Sequence, residues 1–350
     1  MREGRYREQR NWGTRILEYE YKGMRVVFLE NEKLRVGVLV DKGTDIIEFN
    51  HKPTDTDFVW LAPGGVRDPT SYLSTASDPL ATFLDYYPGG WQEIFPNGGA
   101  PSSYLGASLG QHGEVSNLPW DYQIVEDDEE AVAVRFSVRT QKTPFLLQKL
   151  MRLRSGEGGI QFEETLTNES AVHLRAMWGH HIVFGRPFLE EGCRVRMPEG
   201  TTVVPHDEPI DPDGRRVRGG ESYSWPLAAD ESGADVDLSI LPARGTPGEI
   251  VYIKDFSEGW YEIDNPKKNL GFRVEWGVRQ MPYLWFWQEF GGSRFYPWYG
   301  RNYNVGLEPF SSFPTNGIEE AIENGTALYI GPSETSRFSL RADVLEGGSV

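Results

Sequence analysis

The sequence has 350 residues, 39% of them hydrophobic, so the chain is long enough to bury a large core. Its 35 Lys and Arg against 52 Asp and Glu give a formal net charge of −17, which argues against nucleic acids and anionic membranes as partners. The single cysteine, Cys193, excludes an internal disulfide and a cysteine-based zinc site.

The N-terminal segment 1–21 is charged throughout and has no apolar stretch of the kind found in a signal peptide. No run of about 18 apolar residues occurs anywhere in the chain, so we predict no membrane-spanning segment. We expect a cytoplasmic protein without a metal ion or other cofactor, present as a monomer or a homodimer.

Alternation of apolar and polar residues dominates the first half of the chain and predicts β-strands. Residues 23–52 contain three such segments, separated by polar turns at 30–32 and 41–43. The pattern continues through 129–140, 145–170 and 173–185, with turn signals at 155–159 and 167–170.

The second half repeats this pattern, whereas helical periodicity is rare. Strands are predicted in eight segments: 236–243, 249–256, 259–265, 269–276, 283–290, 302–310, 326–332 and 336–345. A short helix or turn is predicted at 316–324 and in part of 71–87, and a long loop at 205–221. So many strands must pack sheet on sheet or close to hide their edges. We therefore predict an all-β protein, a large antiparallel β-sandwich forming a single domain over residues 1–350.

Three segments contain residues suited to proton transfer. His112 lies between Gly110 and Gly113, where the backbone can turn sharply and a ligand can approach closely. His180 and His181 are adjacent in a predicted strand, so at most one of them faces a given site. Glu308 lies among apolar residues near the end of a strand, where burial raises the pKa of a carboxyl group and suits it to act as a base.

Aromatic residues and one amide complete the candidates. Trp285, Trp287, Trp298 and Tyr299 lie in LWFWQEFGGSRFYPWYG, whose second part, FGGSRFYPWYG, is too rich in Gly and Pro for a plain core strand. Aromatic faces pack against the C–H face of a sugar ring, although most tryptophans of a large sandwich belong to its core. Asn97 lies in IFPNGGAP.

Taken in order, these motifs resemble the aldose 1-epimerase (galactose mutarotase-like) superfamily over residues 25–345. The segment IFPNGGAPSSYLGASLGQHGEVSNLPW is similar to its Phe-Pro segment followed by His-Gly and a downstream Trp. TLTNES followed by WGHHIVFG is similar to its Thr-Asn turn and Gly-x-His strand, and GLEPF to the strand of its catalytic Glu. WGHHIVFGRPFLEEG with GLEPF is most similar to a branch described only as a domain of unknown function.

The resemblance implies a large antiparallel β-supersandwich with a sugar cleft on one sheet, and a mutarotase that interconverts sugar anomers. His181 corresponds to the acid that protonates the ring oxygen, Glu308 to the base at the anomeric hydroxyl, and His112 to a second histidine that binds the sugar. The candidate substrate-binding residues are Asn97, His180, Asp264, Trp285, Trp287, Gln288 and Trp298.

Several departures from the family pattern leave the substrate open. Asn97 stands where the family has an arginine, and Asp264 is the candidate for a substrate-binding aspartate. Glu114 follows the His-Gly pair where hexose-phosphate relatives have an arginine nearby, which favours a non-phosphorylated sugar. Another carbohydrate enzyme on the same scaffold remains an alternative: an isomerase, a lyase, or a hydrolase with Glu289 or Asp264 as second carboxylate. A third hypothesis, after the epimerase and another carbohydrate enzyme, is a non-catalytic sugar-binding protein.

Overall fold

The computed structural model describes residues 12–70, 80–212 and 214–347. In these ranges the structure consists of β-strands with two short α-helices, α1 (Ala81–Leu84) and α2 (Ile318–Glu323). The strands of the first half are β1 (Arg15–Tyr21), β2 (Met24–Glu30), β3 (Leu34–Leu39), β4 (Asp45–His51), β5 (Thr56–Asp57), β6 (Trp91–Ile94), β7 (Ser102–Tyr104), β8 (Ala107–Leu109), β9 (Asp121–Asp127), β10 (Ala131–Arg139), β11 (Phe145–Arg154), β12 (Gly159–Asn168), β13 (Leu174–Ala176) and β14 (Gly179–Phe184).

The strands of the second half are β15 (Arg194–Arg196), β16 (Thr202–Pro205), β17 (Tyr223–Ser224), β18 (Leu227–Ala229), β19 (Asp235–Asp237), β20 (Thr246–Lys254), β21 (Gly259–Asn265), β22 (Leu270–Trp276), β23 (Tyr283–Phe290), β24 (Asn304–Phe310), β25 (Leu328–Ile330) and β26 (Thr335–Glu346). None of the helices in the described ranges is long and apolar enough to cross a membrane.

Two large antiparallel sheets form the molecule. One has 12 strands in the order β1-β2-β3-β4-β6-β14-β24-β23-β20-β16-β17, with β5 beside β4. The other has eight strands in the order β15-β21-β22-β26-β12-β11-β10-β9. A continuous apolar core from both sheets lies between them, as alternating side chains require when two sheets pack face to face. The prediction of an all-β sandwich is confirmed.

The middle of the 12-stranded sheet is covered on both faces. Every residue of β14 and of β24 is buried, although side chains along a strand point alternately to opposite faces. The inner face packs against the second sheet. A smaller cluster that includes Trp60, Phe83 and Tyr87 covers the outer face. Polar residues of these two strands are therefore buried whichever way they point.

Most of the predicted strands are present, and the exceptions have local causes. The predicted strand at 236–243 ends at Asp237, because the carboxylate of that residue accepts hydrogen bonds from the N–H and the hydroxyl of Ser239 and starts a turn. The predicted strand at 173–185 divides into β13 and β14, because Met177 N–H donates to the carbonyl of Pro96. The helices predicted near 316–324 and within 71–87 correspond to α2 and α1, while residues 71–79 lie outside the described part.

Candidate active site

The centre of the candidate site is formed by two adjacent strands, β14 and β24. Gly179 pairs with Phe310 and Val183 with Gly306, so the same register places His181 opposite Glu308. Both side chains point to the outer face, with His181 Nε2 and Glu308 Oε1 3.6 Å apart. An imidazole and a carboxylate from distant parts of the chain thus meet in the middle of the sheet.

The Glu308 carboxyl group is buried without compensation. Its side chain is 2% exposed, and within the described ranges it accepts and donates no hydrogen bond. It lies over Gly306, where an added Cβ would come within 2.3 Å of Oε1. Burial raises the pKa of Glu308 well above its usual value, because the charged form loses its hydration. Gly306 therefore leaves the space into which this carboxyl group folds.

His181 is also buried with few partners. Its Nδ1 lies 3.5 Å from the hydroxyl of Tyr87, at the limit of a hydrogen bond. Burial lowers the pKa of His181 to about 3, so the imidazole is neutral near pH 7. Burial thus favours an uncharged His181 beside a protonated Glu308.

His112 approaches the pair from a loop, with its ring centre 5.2 Å from that of His181. Its backbone has a φ of 57°, in the left-handed region. Its Nδ1 accepts a hydrogen bond of 3.1 Å from Gly99 N–H, so in the neutral ring Nε2 carries the hydrogen. Burial, and to a smaller extent His181, lower the pKa of His112 well below its usual value. His112 is therefore a neutral donor at Nε2.

Asn97 holds this loop in place. Its Nδ2 donates to the carbonyl oxygens of Ala100 and Gly110, at 2.8 and 3.0 Å. Its Oδ1 accepts from the N–H of Ile318, at 2.8 Å. The amide is fully buried and occupied by the backbone, so it supports the loop that carries His112.

The predicted aromatic residues divide into two groups. Trp285 is buried, stacks on Phe310 at 3.6 Å and donates to the carbonyl of Ser312. Trp287 and Trp298 are half-buried and 5.4 Å apart, and the Trp287 ring lies 5.8 Å from that of His181. Trp285 is the strand partner of Glu308, but Phe310 covers its ring, so the second group offers the ring face near His181.

Other wall residues were not singled out from the sequence. Phe83 stacks on Tyr87 at 5.0 Å, Phe83 lies 4.5 Å from the His112 ring, and Trp60 lies 6.5 Å from Trp287. The four-residue spacing of Phe83 and Tyr87 in a predicted helical stretch indicates a shared face and is the signal that could have found them. Together these rings leave His112 7% and His181 5% exposed.

Gln92 is another side chain that the sequence did not indicate. It is the β6 partner of His181 and is fully buried. Its Nε2 donates to the carbonyl of Gly89, and its Oε1 has no hydrogen-bond partner within the described chain. The outer face thus has a polar row of Gln92, His181 and Glu308.

Three candidate substrate-binding residues lie away from the cleft face. His180 points into the space between the sheets, where Nε2 lies 3.1 Å from Glu164 Oε2. Asp264 belongs to β21 of the eight-stranded sheet and pairs with Arg194. Gln288 points to the opposite face from Trp287, and its side-chain Oε1 accepts a hydrogen bond from Arg216 at 2.7 Å. The structure does not bring these three together with His181.

Glu114 is also engaged elsewhere. Its carboxylate accepts hydrogen bonds from the backbone N–H groups of Gln141 and Lys142, at 2.9 and 3.2 Å. Its charge therefore gives no reason to exclude a phosphate in the cleft, and the preference for a non-phosphorylated sugar stays a prediction.

Glu93, Glu164 and His180 form the one group of three in the described ranges whose spacing could suit a metal ion. They lie in the core between the sheets, and Lys149 Nζ donates to Glu93 at 3.3 Å. Burial opposes the charged imidazole, yet Glu164 and Glu93 raise the pKa of His180 above its usual value. The Glu93 and Glu164 carboxyl groups thus find partners in the Lys149 ammonium and the His180 ring, so this buried cluster is satisfied by its own members.

Solved structures with the same fold include several from the galactose mutarotase-like superfamily. A protein from Klebsiella pneumoniae proposed to be an aldose 1-epimerase has a TM-score of 0.74 at 14% identity, covering 96% of this chain and 88% of that one. A galactose mutarotase-like protein from Clostridium acetobutylicum has a TM-score of 0.64 at 16% identity, covering 95% and 99%. These likenesses confirm the predicted fold.

No curated protein matches the chain. A family model described as a domain of unknown function (DUF4432) matches residues 21–344, which is nearly the whole sequence. The chain therefore belongs to the DUF4432 family, and its fold is that of the galactose mutarotase-like proteins.

Proposed function

We propose that this protein is an enzyme of the aldose 1-epimerase type, which interconverts the anomers of a sugar by opening and closing its ring. The observation that supports this most strongly is the opposition of His181 and Glu308 across β14 and β24, 3.6 Å apart and otherwise almost without partners. Anomer exchange requires one group that gives a proton and one that takes a proton, and it requires no cofactor.

The pair holds one transferable proton. Burial favours this proton on Glu308, with His181 neutral. Moving it to His181 gives an imidazolium and a carboxylate with the same total charge, so the two forms belong to one coupled titration. Hydroxyl groups of a bound sugar would stabilise the charged form by hydrogen bonding to the carboxylate.

In the charged form the chemistry follows directly. Glu308 takes the proton from the anomeric hydroxyl while His181 donates its proton to the ring oxygen, and the bond between C1 and the ring oxygen breaks. The open-chain aldehyde rotates about its C1–C2 bond, and the ring then closes on the opposite face of the C1 carbonyl. The two proton transfers then run in reverse, which restores the pair.

His112 acts as a positioning donor in this proposal. Because Gly99 N–H occupies Nδ1, the Nε2–H of His112 is available to a sugar oxygen beside His181. The Trp287 ring offers an apolar face to the sugar C–H groups. Phe83 and Tyr87 lie over the pair and would exclude water from the opened ring.

The alternatives receive less support. A hydrolase needs a second carboxylate within about 5–9.5 Å of the first. Glu289 lies four residues along β23 from Trp285, the partner of Glu308, which corresponds to about 14 Å. Asp264 is in the other sheet. A protein that only binds sugars gains nothing from a buried carboxyl group without partners, which costs stability.

The test is anomer exchange measured by NMR saturation transfer for a panel of free aldoses, with wild type and Glu308→Gln compared. We expect at least one aldose to exchange faster with wild type, and the variant to lose about 10²–10⁴-fold of that acceleration because one proton-transfer group is missing. Exchange that survives in Glu308→Gln, or no acceleration of any aldose by the wild type, contradicts the proposal.

A further inference from the structure

A second pocket lies on the other side of the aromatic wall that bounds the acid–base pair. It has a volume of about 160 Å³, and Tyr87 and Trp298 belong both to its lining and to the wall around His181. Their ring centres are 6.4 Å apart. The pocket and the acid–base pair therefore lie against the same two rings.

The outer side of the pocket presents exposed aromatic faces. Tyr296 is 57% exposed and Tyr299 is 59% exposed, and both line the pocket together with Trp298. Large aromatic side chains with a polar tip are enriched at binding surfaces, where one ring face meets an apolar surface. These rings have no role in holding the acid–base pair.

Asn302 adds a polar group that lacks a partner. Its side chain is 1% exposed and belongs to the pocket lining. Its Nδ2 donates to Asn304 Oδ1 at 3.0 Å, which sets the orientation of the amide. Its Oδ1 has no hydrogen-bond partner in the described part of the chain. A buried acceptor of this kind is stabilised by a ligand that brings a hydrogen-bond donor.

We propose that this pocket binds a second, neutral sugar unit, so that the substrate is the reducing end of a disaccharide or longer oligosaccharide. A glycosyl unit offers an apolar C–H face to Tyr299 and hydroxyl donors to Asn302. An ionised phosphate or carboxylate brings no donor for that oxygen, so Asn302 favours a neutral unit with hydroxyl groups even though Arg67 and Arg301 also line the pocket. The proposal rests on the proposed sugar function and names its substrate class.

The test is isothermal titration calorimetry with maltose, cellobiose and lactose, each compared with glucose and galactose. We expect at least one disaccharide to bind about fivefold more tightly than the monosaccharides, as one additional aromatic contact would give. Tyr299→Ala should remove this gain. The matched control is Phe295→Ala, because Phe295 is 46% exposed in the same loop and is absent from the pocket lining.

Three results would overturn the proposal: no affinity gain for any of the three disaccharides, an equal loss in Tyr299→Ala and Phe295→Ala, or a gain for glucose 6-phosphate in place of the disaccharides. The last would assign the pocket to an anion held by Arg67 and Arg301, which also line it. Calorimetry does not depend on turnover. A disaccharide gain without anomer exchange would therefore refute the proposed reaction alone, and glucose exchange without a gain would refute the second pocket alone.

Discussion

His180 and His181 are neighbours in one strand and are both buried, yet their surroundings are opposite. His180 points between the sheets, where Glu164 lies at 3.1 Å, Trp91 donates to its Nδ1 at 3.1 Å, and the carboxylates raise its pKa. His181 points to the outer face, where burial acts almost alone and lowers its pKa to about 3. Burial by itself therefore does not decide the charge of a histidine; the partners that accompany burial decide it.

This comparison separates a structural face from a functional one. On the inner face Glu93, Glu164, Lys149 and His180 are partners of one another in hydrogen bonds. On the outer face Glu308 lacks any hydrogen bond in the described chain, and the groups nearest it are weakly engaged. Polar groups buried without partners are costly, so they are expected where a ligand completes them.

The largest effect on stability is expected from breaking the inner cluster with Lys149→Met. Loss of the ammonium group leaves Glu93 without its cation, and breaking a buried pair in this way costs about 3–5 kcal/mol of unfolding free energy. Urea denaturation measures this, and anomer exchange per folded molecule should persist. The contrasting variant is Glu308→Gln, which should keep or raise the unfolding free energy. Equal stability losses in both variants would remove the distinction between the faces.

The second effect is expected on the pH dependence of the unfolding free energy, through His181. The pKa of His181 is about 3 in the folded protein and about 6.5 in an unfolded chain, so between these values the unfolded state binds a proton that the folded state does not. This histidine therefore lowers stability as the pH falls from 6.5 towards 3, by about 1.4 kcal/mol per pH unit. Urea denaturation at several pH values should show a shallower decline for His181→Gln than for wild type. Identical slopes would mean that His181 is protonated in the folded state.

The smallest effect on anomer exchange is expected from Asn97→Ala, which tests the support of His112. The substitution removes the Asn97 partner of the Ala100 carbonyl and of the Ile318 N–H, while the Gly110 carbonyl keeps the N–H of Gly113, and each group left unsatisfied costs about 1–3 kcal/mol of unfolding free energy. If His112 positions the sugar, the variant should also show slower anomer exchange per folded molecule. A stability loss with unchanged exchange would show that the loop tolerates displacement, and it would remove His112 from the proposed site.

Much of the fold and the elements of the site could be predicted from the sequence. Alternation in 23–52 indicated three strands, and they occur as β2, β3 and β4. Their turn residues and β-branched content act locally, so they can be interpreted without tertiary information. The prediction of a strand at 236–243 is wrong beyond Asp237, because Asp237 makes a local turn with Ser239.

The order of motifs identified His112, His181 and Glu308, and the structure brings these three together. The motif spacing predicts that His181, and not His180, faces outward. The alternation along a strand predicts only that the two side chains point to opposite faces. The inner environment of His180 is formed by Glu93 of β6 and by Lys149 and Glu164 of the other sheet. No local pattern connects these positions.

The sequence by itself determined the strand content, the excess negative charge and the residue types available for proton transfer, because these depend on composition and on neighbours along the chain. Only the tertiary structure decided that Trp60, Phe83 and Tyr87 cover the site, and that Asp264 lies in the other sheet. It also decided which buried charges have partners. These properties arise from contacts between segments far apart in sequence, which form only when the sheets pack and the connecting segments fold over them.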